Sequence, residues 1–464
     1  MSNLRRLYRP ASPNFWALSG FLFFVFLLGG GSRDDIGSLV ILRPVAVIAC
    51  GYALWTLNAD TARHYRAALA IAVAGMVLVV MQLVPLPPAV WTTLPGHGIV
   101  SDIDRTAGLG ALWRPWTMSP TGTWNALFAL FVPLAALLLG IQLPREDQFR
   151  LLGVIGGLGL LSALVGLLQT LGPANGPLYF YQITNNGFAV GLFANRNHAA
   201  TLLACIFPML AVYASIERSA EVARFRSWAA LMLAAALLPL ILVTGSRAGL
   251  LLSVIGLGLA ALLHRRPSAP GKGNARSRYL IYLLVGLALA GIVALFALSS
   301  RAPALQRLFT EEPGEEFRIP LWSTTLATAM KYFPMGSGFG SFSDVFQIDE
   351  PDSMLVPTYA NHAHNDWLEL LMTGGLPAVL LFAAAFLLLC RWSLRAWRSG
   401  TTASRETQFA RLGSAILLLL AAASIGDYPL RVPSLACLAA VAIIWLHGAP
   451  QRASRSVHSL AESA

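Results

Sequence analysis

The sequence predicts an all-α polytopic membrane protein, and three observations carry that expectation. Only 12% of the 464 residues are charged while 56% are hydrophobic, whereas a soluble domain carries about 25% charged residues. Apolar stretches of roughly 20 residues recur along the chain, the length that crosses a hydrocarbon core about 30 Å thick. The basic residues fall mainly in short segments between those stretches.

Taken in order, spans are expected at 14–31, 36–56, 67–86, 123–142, 150–171, 196–216, 228–245, 247–264, 278–298, 366–390, 410–426 and 431–448, about twelve in all. The first follows Arg5, Arg6 and Arg9 and ends in Gly29, Gly30 and Gly31 without a small-x-small cleavage site. It therefore reads as a retained helix rather than a removed signal peptide. The second contains Arg43, expected about two turns below the surface. Between the third and fourth lies the segment 87–122, whose Trp91, Trp113 and Trp116 read as interfacial anchors. The apolar run 228–264 is too long for one crossing, so Thr244, Gly245 and Ser246 mark the turn of a helical hairpin. In the tenth span Gly374, Gly375 and Pro377 predict a kink or local unwinding.

The organisation that follows is 1–298 for spans one to nine, a 67-residue loop at 299–365, 366–448 for the last three spans, and a tail at 449–464. The loop contains a helix-like stretch near 316–332, and loops of that length are disproportionately functional. The stretch 265–278 and the tail read as disordered and cytoplasmic. With the N-terminus placed in the cytoplasm, roughly two-thirds of the 33 lysines and arginines lie on the cytoplasmic side. This distribution removes the nucleic-acid reading that a net charge of +11 would otherwise invite. The late loop is then on the outer, non-cytoplasmic side. Cys50, Cys205, Cys390 and Cys437 sit inside apolar runs without metal-type spacing, so they read as small buried side chains.

Chemistry concentrates in Asn361-His362-Ala363-His364-Asn365-Asp366-Trp367-Leu368-Glu369. Asp366 as N-cap with Glu369 three residues on resembles a capping box. His364 would then stand just before a helix N-terminus, where anions such as phosphate are attracted. A neutral imidazole there accepts a proton from a hydroxyl nucleophile; a surface histidine beside a helix cap is the competing reading. His-x-His also suggests metal, but no third ligand is evident.

Arg43 lies within a span, where a charge usually faces a polar cavity, although pairing with Asp427 or another carboxylate would also explain it. Arg247 and Arg318 stand on the outer side against the general charge bias, and arginine offers a planar fork suited to phosphate oxygens. Snorkelling or loop solvation is their plainer explanation. Arg431 stands four residues after Asp427 and either pairs with it or serves the site. Asn195, Asn197 and His198 at the start of the sixth span either line the same cavity or cap a helix. Pro334–Gly340 has the look of a phosphate loop but follows no strand, so it reads as a turn.

Gly191-Leu-Phe-Ala-Asn195-Arg-Asn197-His198, Gly245-Ser246-Arg247, Arg318 with Trp322, Gly336-x-Gly338-x-Gly340-x-Phe342 and His364-Asn365-x-x-Leu368-x-Leu370-Leu371-x-x-Gly374-Gly375-Leu376 occur in one order. Together they resemble the O-antigen ligase and polymerase superfamily of bacterial inner-membrane proteins, best over about 190–390. The resemblance implies a metal-independent glycosyltransferase with a GT-C-type bundle and a large late periplasmic loop. Such proteins move a glycan from undecaprenyl pyrophosphate to an acceptor hydroxyl. It implies His364 as the essential loop histidine, with Arg247 and Arg318 as the matching arginines. Arg43, Asn195, Asn197, His198, His362, Asn365 and Glu369 are the expected substrate contacts. The sequence departs from the family where Glu-x-Gly is common, having Met372-Thr373-Gly374; Glu369 either replaces that acid or the role is absent.

Neither metal nor nucleotide cofactor is expected, and the partners would be the lipid-linked donor, a lipid A core or glycan acceptor, and the bilayer. A ligase acting on lipid A core is the first expectation and a repeat-unit polymerase the alternative. A lipid-linked glycan flippase is less favoured, because the polar residues gather at one face and no internal repeat is seen.

Overall fold

The computed structural model describes residues 10–216, 220–265, 318–355, 359–399 and 404–448. The expected span at 278–298, the loop residues 299–317, nearly all of the stretch 265–278 and the tail 449–464 lie outside the described residues.

The chain runs through α1 (Pro13–Leu28), α2 (Leu39–Thr56), the short α3 (Ala59–His64) and α4 (Arg66–Leu83). The segment that follows holds β1 (Pro85–Leu86), α5 (Pro88–Trp91), α6 (Gly98–Thr106) and β2 (Arg114–Pro115). β1 and β2 pair antiparallel, Pro85 opposite Pro115 and Leu86 opposite Arg114. Next come α7 (Pro120–Gly140), α8 (Arg145–Leu171), α9 (Arg196–Ser215), α10 (Ala220–Val243) and α11 (Arg247–Leu263). The late segment gives α12 (Arg318–Lys331), α13 (Phe342–Asp349), α14 (Asp366–Arg398), α15 (Arg405–Gly426) and α16 (Pro433–His447). Among the described residues eight helices are long and apolar enough to cross a membrane, and α1, α11 and α16 are shorter apolar helices. Among the described residues a helix occupies each expected span; 278–298 lies outside them.

The core forms where small residues let helix backbones close on one another. α9 is buried along most of its length, Ala199 to Val212, and meets α11 on its small face. A Cβ added at Gly249 would lie 2.3 Å from the Cβ of Ala200, and one at Gly256 would lie 2.7 Å from the Ala204 carbonyl. Lipid offers no hydrophobic drive between helices, so this close van der Waals packing holds them. α15 and α16 join the same core through Phe409, Leu412, Ile416, Leu435 and Trp445, all nearly fully buried.

The hairpin turn falls at Thr244–Ser246, with Gly245 at φ +65°. The Ser246 hydroxyl caps α11 by accepting from the Gly249 N–H. Two expectations are corrected. Trp91 and Trp116 are buried within the protein, not anchored at an interface; their indole N–H groups donate to the Leu112 and Gly336 carbonyls. Only Trp113 of the three is exposed. Arg43 is the fifth residue of α2, about one turn below the helix start instead of two.

Candidate active site

The site is built on a broken helix. α14 is interrupted at Gly375, whose φ of 58° and ψ of −158° are accessible only without a side chain. The break frees the Met372 and Thr373 carbonyls and the Leu376 N–H. The glycine-rich loop 334–340 takes all three: Ser337 N–H donates to Met372 O at 2.9 Å, Gly338 N–H to Thr373 O at 2.8 Å, and Leu376 N–H to Pro334 O at 2.8 Å. Gly336, Gly338 and Gly340 all have positive φ, and Gln82 from α4 donates to Thr373 O and accepts from Phe339 N–H. The loop is thus a turn docked on a helix break, satisfying backbone groups that lipid cannot.

The histidine segment leads into α14 from this platform. Asn365, not Asp366, is the N-cap: its side chain accepts from the Trp367 and Leu368 N–H groups. Asp366 is the first helical residue, which leaves its carboxylate free to turn inward. Glu369, 1% exposed, reaches back past the cap to accept from the Ala363 N–H at 2.9 Å and meets His362 Nδ1 at 3.1 Å. Trp322 of α12 donates to the Ala363 carbonyl at 3.0 Å. Held from both sides, His364 takes φ +49°, the one positive φ outside glycine among the described residues. Such strain, about 1–3 kcal/mol, concentrates at functional sites.

Two charge clusters lie beside this segment. Arg431 pairs with Glu369 at 3.1 Å and with Asp366 at 3.2 Å, and Ser424 donates to Asp366 at 2.9 Å. Among the described residues neither Arg431 nor Arg43 pairs with Asp427, so that alternative reading of each falls away. Asp427 instead faces two histidines: His198 Nε2 and His364 Nδ1 each lie 3.5 Å from its Oδ1. Burial would raise Asp427, but the facing His198 and His364 outweigh it and hold its carboxyl well below the usual carboxylate range. Burial, reinforced by the Asp427 charge, pushes the neighbouring Tyr428 hydroxyl up.

The Tyr428 ring is the hub, with centroids 5.0 Å from His198, 4.4 Å from His362 and 4.8 Å from His364. Both His198 ring nitrogens, His364 Nδ1 and Asp427 Oδ2 are buried without a hydrogen-bond partner. Orphaned polar atoms are rare in native interiors, and their clustering points to a functional site. His364 is nevertheless 31% exposed, so its open side is the part of the ring away from Nδ1.

Asn195 caps α9 by accepting from Asn197 N–H, and Ser246 donates to the Asn197 side chain at 2.7 Å. This bond ties the residue before Arg247 to the residue before His198. Arg247 opens α11, and Arg318 opens α12, one turn before Trp322. Arg43 donates to Asn125 at 2.8 Å, and Asn125 donates to Asp34 at 3.1 Å.

A cavity of about 620 Å³ begins at this end of the bundle, with Arg33, Arg43, Tyr359, His362 and Arg431 at its polar mouth. It continues as an apolar groove between α4, α7, α14 and α16. Along α7 its lining runs from Gly122 to Leu137, about 22 Å at ~1.5 Å per residue. His362 lines the cavity, whereas His364 stands behind it on the same tyrosine. Among the described residues no three His, Cys, Asp or Glu side chains are grouped to hold a metal ion.

Residues 230–383 match the family model described as O-antigen ligase. The match covers a third of the chain. The matched region takes in α10, α11, α12, the glycine-rich loop, the histidine segment and the broken part of α14. With its many apolar helices the chain is a multi-pass membrane protein, and the family match supports a role in glycan transfer. No curated protein matches the chain. Outside the matched region lie Asp427 and Tyr428, which sequence patterns did not place in the site, and Arg431, whose role they left open. Their one signal was a run of charged and aromatic residues, Asp427-Tyr428-Pro429-Leu430-Arg431, between two apolar spans.

Proposed function

We propose that this chain is an O-antigen ligase of the bacterial inner membrane. It transfers a glycan from undecaprenyl pyrophosphate to a hydroxyl of lipid A core at the periplasmic face. The observation that carries this reading is the cavity, whose polar mouth at Arg431 and His362 opens into a long apolar groove. That shape suits a donor with an anionic head and a polyprenyl tail.

In the proposed mechanism the acceptor hydroxyl gives its proton to the open side of His364 as its oxygen attacks the anomeric carbon. The bond from that carbon to the phosphate oxygen breaks, and its electron pair leaves with the pyrophosphate. Asp427 at Nδ1 orients the ring and stabilises the imidazolium that forms. Arg247 and Arg318 disperse the charge of the leaving group. Because pyrophosphate already leaves well, neither nucleotide nor metal is required.

The acceptor is tested by analysing surface polysaccharide in a deletion strain. Full-length chains accumulating on the carrier lipid support the ligase. Single capped repeats on lipid A core would instead assign the chain as a repeat-unit polymerase.

A further inference from the structure

Three arginines line the cavity, and their surroundings differ. Arg33 forms two hydrogen bonds to Asp35 and one to the Tyr359 hydroxyl. Arg431 is neutralised by Asp366 and Glu369. Among the described residues the hydrogen-bond partner of Arg43 is the neutral side-chain oxygen of Asn125, and its Nε is buried without a hydrogen bond. Among the described residues no carboxylate comes within ion-pair distance of it; Asp34, bonded to Asn125, attracts it only at longer range. Arg43 is therefore, among the described residues, the lining arginine without a direct ion pair.

A guanidinium withdrawn from water is costly unless an anion answers it. Arg43 stands where one would arrive, at the polar mouth and about 6 Å below the start of α2 at ~1.5 Å per residue. We infer that Arg43, positioned by Asn125, is the contact for the phosphate next to the hydrocarbon tail of a polyprenyl carrier. Its planar fork spends one terminal donor on Asn125 and leaves its other terminal N–H groups for phosphate oxygens. This assignment rests on the proposed use of the groove by the carrier. It adds the residue that separates a phosphorylated lipid from a neutral one.

The opposing carboxylate gives the assignment a sign. Asp34 opposes an incoming anion, so Asp34→Asn should tighten phosphate binding, while Asn125→Asp, which neutralises Arg43 in place, should weaken it. A merely structural Arg43 would not produce opposite effects at these two neighbours.

The experiment is binding to the full-length protein in nanodiscs, using a C55 polyprenyl monophosphate, the matching polyprenol and inorganic phosphate. Wild type should bind the polyprenyl phosphate about ten- to a hundredfold more tightly than the polyprenol, the range a charge-assisted contact supplies. Arg43→Gln and Asn125→Asp should erase that preference, Asp34→Asn should enlarge it, and polyprenol affinity should stay unchanged throughout. Polyprenyl phosphate bound equally by wild type and Arg43→Gln would overturn the inference and leave the groove as the carrier site. Inorganic phosphate bound as tightly as the lipid would overturn the carrier assignment of this anion. Failure of wild type to bind either lipid would sink both the inference and the groove reading.

Discussion

The Nδ1 of His364 lies 3.5 Å from the Oδ1 of Asp427, which places an ionised carboxylate behind the exposed face of a strained histidine. Asp427→Asn keeps the shape and removes the charge that would stabilise an imidazolium. Transfer should fall by about a hundredfold or more, mainly in kcat. Because Asp427 is held below the usual carboxylate range, its stabilisation is present above that range and lost as pH falls through its lowered value. Thermal unfolding of the solubilised protein should thus show a shallower acid limb in Asp427→Asn. An unchanged acid limb together with unchanged turnover would contradict the pairing.

Arg431 answers two buried carboxylates at once. Arg431→Met leaves Asp366 and Glu369 without their cation, and breaking a buried pair costs about 3–5 kcal/mol. Unfolding temperature should drop markedly, and the double variant Arg431→Met with Glu369→Gln should recover part of the loss. A single variant as stable as wild type would show that the network does not hold the loop on α14.

The break in α14 depends on Gly375. A Cβ there would lie 2.3 Å from the Pro334 carbonyl oxygen, and the backbone is left-handed. Gly375→Ala should destabilise by about 1–3 kcal/mol from backbone strain alone and undock the glycine-rich loop. Gly20→Ala, which meets nothing within 4 Å, is the control expected to change little. Hydrogen exchange over 334–340 reads the effect; protection equal to wild type in Gly375→Ala would contradict the docking.

Arg247 and Arg318 are proposed to act through the planar fork. Arg247→Lys and Arg318→Lys should each impair turnover while leaving membrane abundance near normal, because lysine keeps the charge and loses the two-point contact. Transfer in reconstituted liposomes measures this, and wild-type rates in both variants would remove the fork from the mechanism.

How much of this was legible in the sequence follows from which interactions are local. Apolar run length located the helices, and Gly374-Gly375 marked the broken one, because both signals lie within a single segment. The cap was misplaced by one residue, since Asn and Asp both suit an N-cap and only the fold decides that Asp366 turns inward to Ser424 and Arg431. The partnership of Asp427 with His198 and His364 joins three separate elements, and no spacing rule announces it. Trp116 looked like an interfacial anchor for the same reason: its partner, Gly336, is 220 residues away.

The central claim is that His364, rather than its neighbour His362, carries the transfer. His362 lines the cavity and is bound to Glu369, while His364 faces Asp427 and keeps an open side. The direct measurement is glycan transfer by His364→Ala and His362→Ala in reconstituted liposomes, with and without chelator. Loss of a general base commonly costs about 10²–10⁴-fold, so His364→Ala should be nearly inactive while still binding donor. His362→Ala should retain most activity, and chelator should change neither result. Full activity in His364→Ala, or activity lost on chelation, would contradict the account.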